Sequence, residues 1–140
     1  MVTKDYYGRL KTWQDLRKQL EKSKDPINQT VEFFDKLPTS SMAVDPYNNK
    51  SWPDPWMLIE ENVYCRFLKV LGICYTLQLT DRFSTRDFEI HISIDSENHD
   101  LVYQIKIDND MLTSYNDTYE LTNQKSFTDS QSIVKTPRLN

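Results

Sequence analysis

Glycine is nearly missing from this chain: two among 140 residues, Gly8 and Gly72. That scarcity excludes the backbone cradles that hold phosphates, since neither GxxxxGK[ST] nor GxGxxG can be written with glycines so far apart. Alanine is scarcer still, with Ala43 alone. Histidine and cysteine number two each, His91 and His99, Cys65 and Cys74. Their spacing matches no zinc finger or ribbon and forms no CxxC pair. The first residues lack the apolar segment of a signal peptide, so the cysteines fit free thiols in a reducing compartment better than a disulfide framework. No run of 18 apolar residues occurs, and no membrane partner is expected.

Nor is there a concentrated basic face. Lys and Arg total 17 against 21 Asp and Glu, a net charge of −4, which argues against a nucleic-acid partner. The basic stretch from Lys11 to Lys24 is interrupted by Asp15 and Glu21 and reads as the solvated face of a helix. GxSxG and HExxH are absent, so no motif compels an enzyme, and no cofactor or metal is expected.

What the chain holds in quantity is aromatic: 3 Trp, 8 Tyr and 6 Phe. Trp13, Phe34 and Trp56 read as core. Tyr6, Tyr7, Tyr47, Tyr115 and Tyr119 read as contact surface, because tyrosine is stiff, large and wettable at one end. Trp52, Phe127 and Ile133 complete the expected partner-binding set.

The stretch from Ser51 to Leu79 organises the rest. Asp54 and Pro55 form a helix start. Trp56, Ile59, Val63, Phe67 and Val70 recur at helical spacing, and Gly72 is placed to end the helix in the left-handed region. From Ile73 the period changes to two, which predicts a strand over 74–80. Upstream, residues 1–11 read as an arm. Thr12 is expected to cap a helix carrying Trp13, Leu16 and Leu20, and Asp25-Pro26 starts a second one that Pro38 stops. Residues 38–53 form a long loop with Val44, Tyr47 and Trp52 as apolar anchors.

Downstream, Phe88, Ile90, Ile92 and Ile94 alternate with Glu89, His91, Ser93 and Asp95. Leu101, Tyr103, Ile105 and Ile107 alternate with Val102, Gln104, Lys106 and Asp108. This predicts an antiparallel meander with one apolar and one polar face. After Asn109 the apolar residues are isolated among Asn, Asp, Ser and Thr, and such a segment is expected to order only against a partner. The expected fold is α+β: two or three helices on one face of a three- to four-stranded antiparallel meander, with an extended N-terminal arm and C-terminal tail. Residues 1–110 are read as a single domain and 111–140 as the polar extended tail.

Three clusters bear on chemistry. Cys65, His91 and Asp108 follow the order of a transglutaminase-like thiol site, in which an imidazole oriented by a carboxylate activates the thiol. Against it, Cys65 falls inside the expected helix, and the bland alternative is a core thiol with a surface histidine. The loop Asp95-Ser96-Glu97-Asn98-His99-Asp100 is rich in carboxylates but lacks the pattern of a calcium loop, and hairpin turns favour the same residues. Glu60 and Glu61 are helix neighbours that point apart, a poor acid–base couple.

The phrases DPYNNKSWPDPW and LGICYTLQL, within Val44–Phe83, resemble small proteins of T4-like tailed phages of marine bacteria. The resemblance covers about a third of the chain and transfers no functional residue. It implies a setting: a virion protein of the head–tail connector or neck, the tail or the baseplate, made in the bacterial host cytoplasm.

The function expected first is therefore a non-catalytic virion component that packs against other virion proteins as a homo-oligomeric ring or symmetric array. The alternatives are a small thiol enzyme using Cys65, His91 and Asp108, and a soluble phage protein that binds a host target.

Overall fold

A computed structural model describes residues 5–41, 44–95, 100–108, 110–115, 121–122 and 132–135. The chain is α+β and divides into two compact units, a helical one within residues 1–85 and a stranded one within 86–138.

The helical unit holds α1 (Tyr6–Leu20), α2 (Pro26–Asp35), α3 (Pro55–Glu61) and α4 (Arg66–Gln78). Helix α1 starts six residues before the expected Thr12 cap, so Tyr6 and Tyr7 are helical rather than part of an arm. Asp5 is the true cap, its carboxylate accepting the Gly8 N–H at 2.8 Å. Thr12 instead turns its hydroxyl back to the Gly8 carbonyl at 3.0 Å, the intrahelical alternative open to threonine. The starts of α2 and α3 follow the Asp-Pro chemistry: Asp25 accepts from the Asn28 N–H, and Asp54 from the Met57 N–H at 2.8 Å.

The expected single helix over 54–71 is two. Asn62 sits in the left-handed region at φ 53° and closes α3, the role assigned to Gly72 from sequence. Gly72 lies in the middle of α4, and residues 74–78 of the strand expected over 74–80 continue that helix. From Phe67 to Gln78 every residue of α4 is buried. A helix buried on all sides is apolar at nearly every position, so a period of two can be read into it as easily as one of 3.6. Gly72 is small for packing: a Cβ there would stand 2.5 Å from Phe34 Cε1 on α2.

Polar groups lock these helices at their ends. The Trp13 indole N–H donates to the Thr76 hydroxyl at 2.9 Å, and that hydroxyl donates to the Gly72 carbonyl at 2.7 Å. Lys69, 1% exposed, points its ammonium at the Asp35 and Leu37 carbonyls where α2 runs out; burial lowers its pKa. Glu21 accepts the N–H groups of Asp81 and Arg82, while Arg82 donates to the Leu20 and Ser23 carbonyls. The 38–53 loop is fastened by Trp52 on Phe67, ring centres 5.1 Å apart, and by the Tyr75 hydroxyl donating to the Pro53 carbonyl at 2.9 Å.

The stranded unit holds β1 (Phe88–Asp95), β2 (Asp100–Ile107), β3 (Asp110–Tyr115), β4 (Leu121–Thr122) and β5 (Ser132–Lys135), in the order β4-β3-β2-β1-β5. The β1 and β2 pairing is the expected antiparallel ladder, with Phe88 opposite Ile107 and His91 opposite Gln104. Residues 132–135, within the stretch expected as a tail, pair antiparallel with β1. The expected polar face is not a wet one: His91 is 6% exposed, Ser93 2% and Gln104 8%. Both strands are interior to the sheet, so β-neighbours flank them on either side.

Candidate interaction surface

Large apolar side chains reach solvent at several points of the helical unit: Tyr7, Tyr47, Trp56, Met57 and Val63. Tyr7 lies in the first turn of α1 and meets Tyr6 with ring centres 5.6 Å apart. Tyr6 is half-buried. Tyr47 stands in the loop, its N–H held by the Asp45 carboxylate at 2.9 Å in a local turn. Trp52 is half-buried against Phe67.

Trp56, expected in the core, is 48% exposed. It meets Trp13 with ring centres 6.4 Å apart in a near-perpendicular arrangement. Because α3 is seven residues long, its inner side is filled by Pro55, Leu58 and Ile59, all buried. At 100° per residue, Trp56, Glu60, Met57 and Glu61 then fall within an outward arc of about 140°, and all four are exposed. The sequence held a signal for this. Glu60 and Glu61 follow Trp56 and Met57 by one helical turn, and two adjacent carboxylates mark the wet side.

Helix α1 reads the same way. Tyr7, Lys11, Gln14 and Lys18 lie within about 60° of one another on the helix, and all are exposed. Trp13, Leu16 and Leu20 are buried on the other side. Arg9 crosses from α1 to the end of α3, donating to the Ile59 carbonyl at 2.9 Å and the Glu60 carbonyl at 2.8 Å. It satisfies carbonyls that the short helix leaves without helical partners.

A cleft of about 230 Å³ is lined by Pro38, Thr39, Ser40, Asn62, Val63 and Tyr64. Its two lining segments are joined by a single parallel bridge, Thr39 to Tyr64, with the Ser40 N–H donating to the Tyr64 carbonyl at 2.8 Å. Among the described residues lining the cleft Tyr64 alone is ionisable, and burial pushes that phenol well above the ordinary range.

The thiol constellation can be placed within each unit. Cys65 is not mid-helix; it is the N-cap residue of α4 and is 6% exposed. Its side chain makes no capping hydrogen bond. In the stranded unit His91 is a buried histidine, not a surface one, and its Nε2 faces the Glu89 carboxylate at 3.2 Å. Asp108 lies past the far end of the ladder, beyond the Phe88–Ile107 pair. Four residue steps at roughly 3.3 Å each put it about 13 Å along the strands from His91. Its carboxylate is engaged by the Asp87 N–H at 3.0 Å and by Arg86 at 3.2 Å, and its backbone is left-handed at φ 56°. Asp108 shapes the entry to β1.

Of the remaining expected contact residues, Tyr115 ends β3 opposite Tyr103, and Ile133 in β5 is opposite His91. Tyr119, Phe127 and residues 96–99 of the carboxylate-rich loop lie outside the described residues. Among the described residues no group of three or more His, Cys, Asp or Glu is placed to hold a metal ion, and no helix is long and apolar enough to cross a membrane.

Comparison with protein-family models, curated proteins and solved structures finds no match for this chain.

Proposed function

We propose that this chain is a non-catalytic structural component of a phage particle, in the head–tail connection, tail or baseplate. It acts by packing against other virion proteins and against copies of itself in a ring or symmetric array. The observation that carries this reading is the exposure of large apolar side chains on the helical unit: Tyr7 at 78%, Tyr47 at 55%, Trp56 at 48% and Met57 at 46%. A folded chain that leaves an indole and a thioether half in water on one short helix gains by covering them with a neighbour. The setting comes from the resemblance of Val44–Phe83 to proteins of marine tailed phages. The C-terminal residues Tyr115, Tyr119, Phe127 and Ile133 serve the same contacts.

The thiol-enzyme alternative would need a carboxylate other than Asp108 to orient His91, and Glu89 occupies that place.

Quantitative mass spectrometry of purified particles tests the proposal. The chain is expected at a fixed ratio to the other virion proteins, with cross-links from its lysines to them. A chain that stays in the soluble lysate and never copurifies with particles sinks the reading and turns attention to a host target.

A further inference from the structure

The outward faces of α1 and α3 differ in charge. On α1, Tyr7 stands in line with Lys11, Gln14 and Lys18, and Lys22 and Lys24 follow just past the helix end; all are exposed. On α3, Trp56 and Met57 stand with Glu60 and Glu61, and no cation occurs between Ser51 and Cys65. One face is aromatic and basic, the other apolar and acidic. The local pairing of Lys11 with Asp15 at 3.0 Å is between groups 66% and 48% exposed, an arrangement worth little in water. It leaves Lys18 and Lys22 to set the sign of the stripe.

We infer that these faces are the two halves of one contact: the α1 stripe of one copy of this chain seats on the α3 face of the next. The occupant is a second copy because the complement to each face is present on the chain itself, in charge and in apolar character. Trp56 and Met57 supply the desolvated centre, and the Lys–Glu pairs form its rim.

The contact runs head to tail. On α1, Arg9 and Trp13 reach α3 in the same chain. At 100° per residue they lie about 200° and 240° around the helix from Tyr7. The basic stripe therefore faces away from the chain's own α3, so the two faces are separate patches and their pairing between copies is heterologous. A contact of this kind propagates, closing into a ring if the rotation allows and otherwise extending as a filament. The inference rests on reading the chain as a packing component and supplies the surface through which it packs.

Two charge-reversed variants test it: Glu60→Lys with Glu61→Lys, and Lys11→Glu with Lys18→Glu. Every altered side chain is exposed, so circular dichroism should match the parent chain. Light scattering across a dilution series of the parent should show mass rising above the monomer, and less so at high salt. Each variant alone should raise the half-assembly concentration by about tenfold or more, because like charges then face each other. Mixing the two variants should restore assembly, since each then offers a face the other complements. A parent chain that stays monomeric throughout, or variants that assemble like the parent, overturns the inference. A monomer in solution that is nevertheless present in purified particles removes the self-contact and leaves the particle reading standing. A chain that assembles but is absent from particles does the reverse.

Discussion

At the scale of single residues, Phe34 constrains Gly72. A methyl group at 72 would sit 2.5 Å from Phe34 Cε1 and 2.9 Å from its Cζ, inside a helix buried at every position from Phe67 to Gln78. Gly72→Ala, normally favourable in a helix, should here cost about 1–3 kcal/mol as over-packing. Adding Phe34→Leu should recover part of that loss, read as denaturant midpoints. Equal stability of Gly72→Ala and the parent would show that the ring yields freely. A second residue-scale prediction concerns alkali. Burial raises the Cys74 thiol from its ordinary 9.0 and the Tyr64 phenol from 10.0, and it pushes Tyr75 up to about 12, with Cys74 and Asp54 adding to the shift. The folded chain keeps these protons where the unfolded chain loses them. Their contribution is full below the unfolded values and declines as pH climbs through 9 and 10 toward the folded ones. Lys69, lowered by burial, acts with the opposite sign below its ordinary 10.5. Melting temperature should fall from pH 9 upward, and Cys74→Ala should move the onset toward 10. An onset unchanged by that substitution would remove the thiol from the account. These side chains were legible as apolar or aromatic in the sequence, but the close approach at Gly72 was not, because nothing in a linear string says which ring will lie over a glycine.

At the scale of elements, the short α3 depends on its tether. Seven residues make a marginal helix on their own, and Arg9 satisfies two carbonyls at its end from the start of α1. Arg9→Leu removes both hydrogen bonds at once and should destabilise the helical unit by about 1–3 kcal/mol, with amide exchange rising first around residues 58–62. Uniform protection across α3 in that variant would show that packing of Leu58 and Ile59 suffices. The helix starts were readable because Asp-Pro states its own chemistry twice, at 25–26 and 54–55. The β1 and β2 ladder was readable because isoleucine-rich alternation with polar and charged residues recurs in two adjacent runs of eight. The end of α3 was missed because Val63, Phe67 and Val70 keep the helical spacing going across Asn62, which takes the left-handed turn in place of a glycine. The continuation of α4 was missed because burial on all sides erased the polar positions that would have marked a wet face, and Gly72 then looked like punctuation. The exposed face of α3 was missed because Trp56 was assigned by residue type, when Glu60 and Glu61 one turn later pointed outward.

At the scale of the whole molecule, the strand from Ser132 to Lys135 covers the edge of β1, residue for residue from Glu89 to Ile92. A chain ending at residue 131 leaves those N–H and C=O groups open, and an open edge recruits other edges. Such a truncation should precipitate irreversibly on warming at temperatures where the full chain stays in solution; a truncation that warms without precipitating, as the parent does, would mean β1 does without its partner. The polar composition after Asn109 hid this pairing, since main-chain hydrogen bonds ask little of side-chain type. The division of the chain at residue 85 also sorts its chromophores. Trp13, Trp52 and Trp56 all belong to the helical unit, and residues 86–138 contain no tryptophan. Indole emission is thus a private channel to one half of the protein, silent about the other, while the sheet must be followed by its infrared amide band. Two instruments watching one sample can then tell whether the halves melt on a single clock or on two.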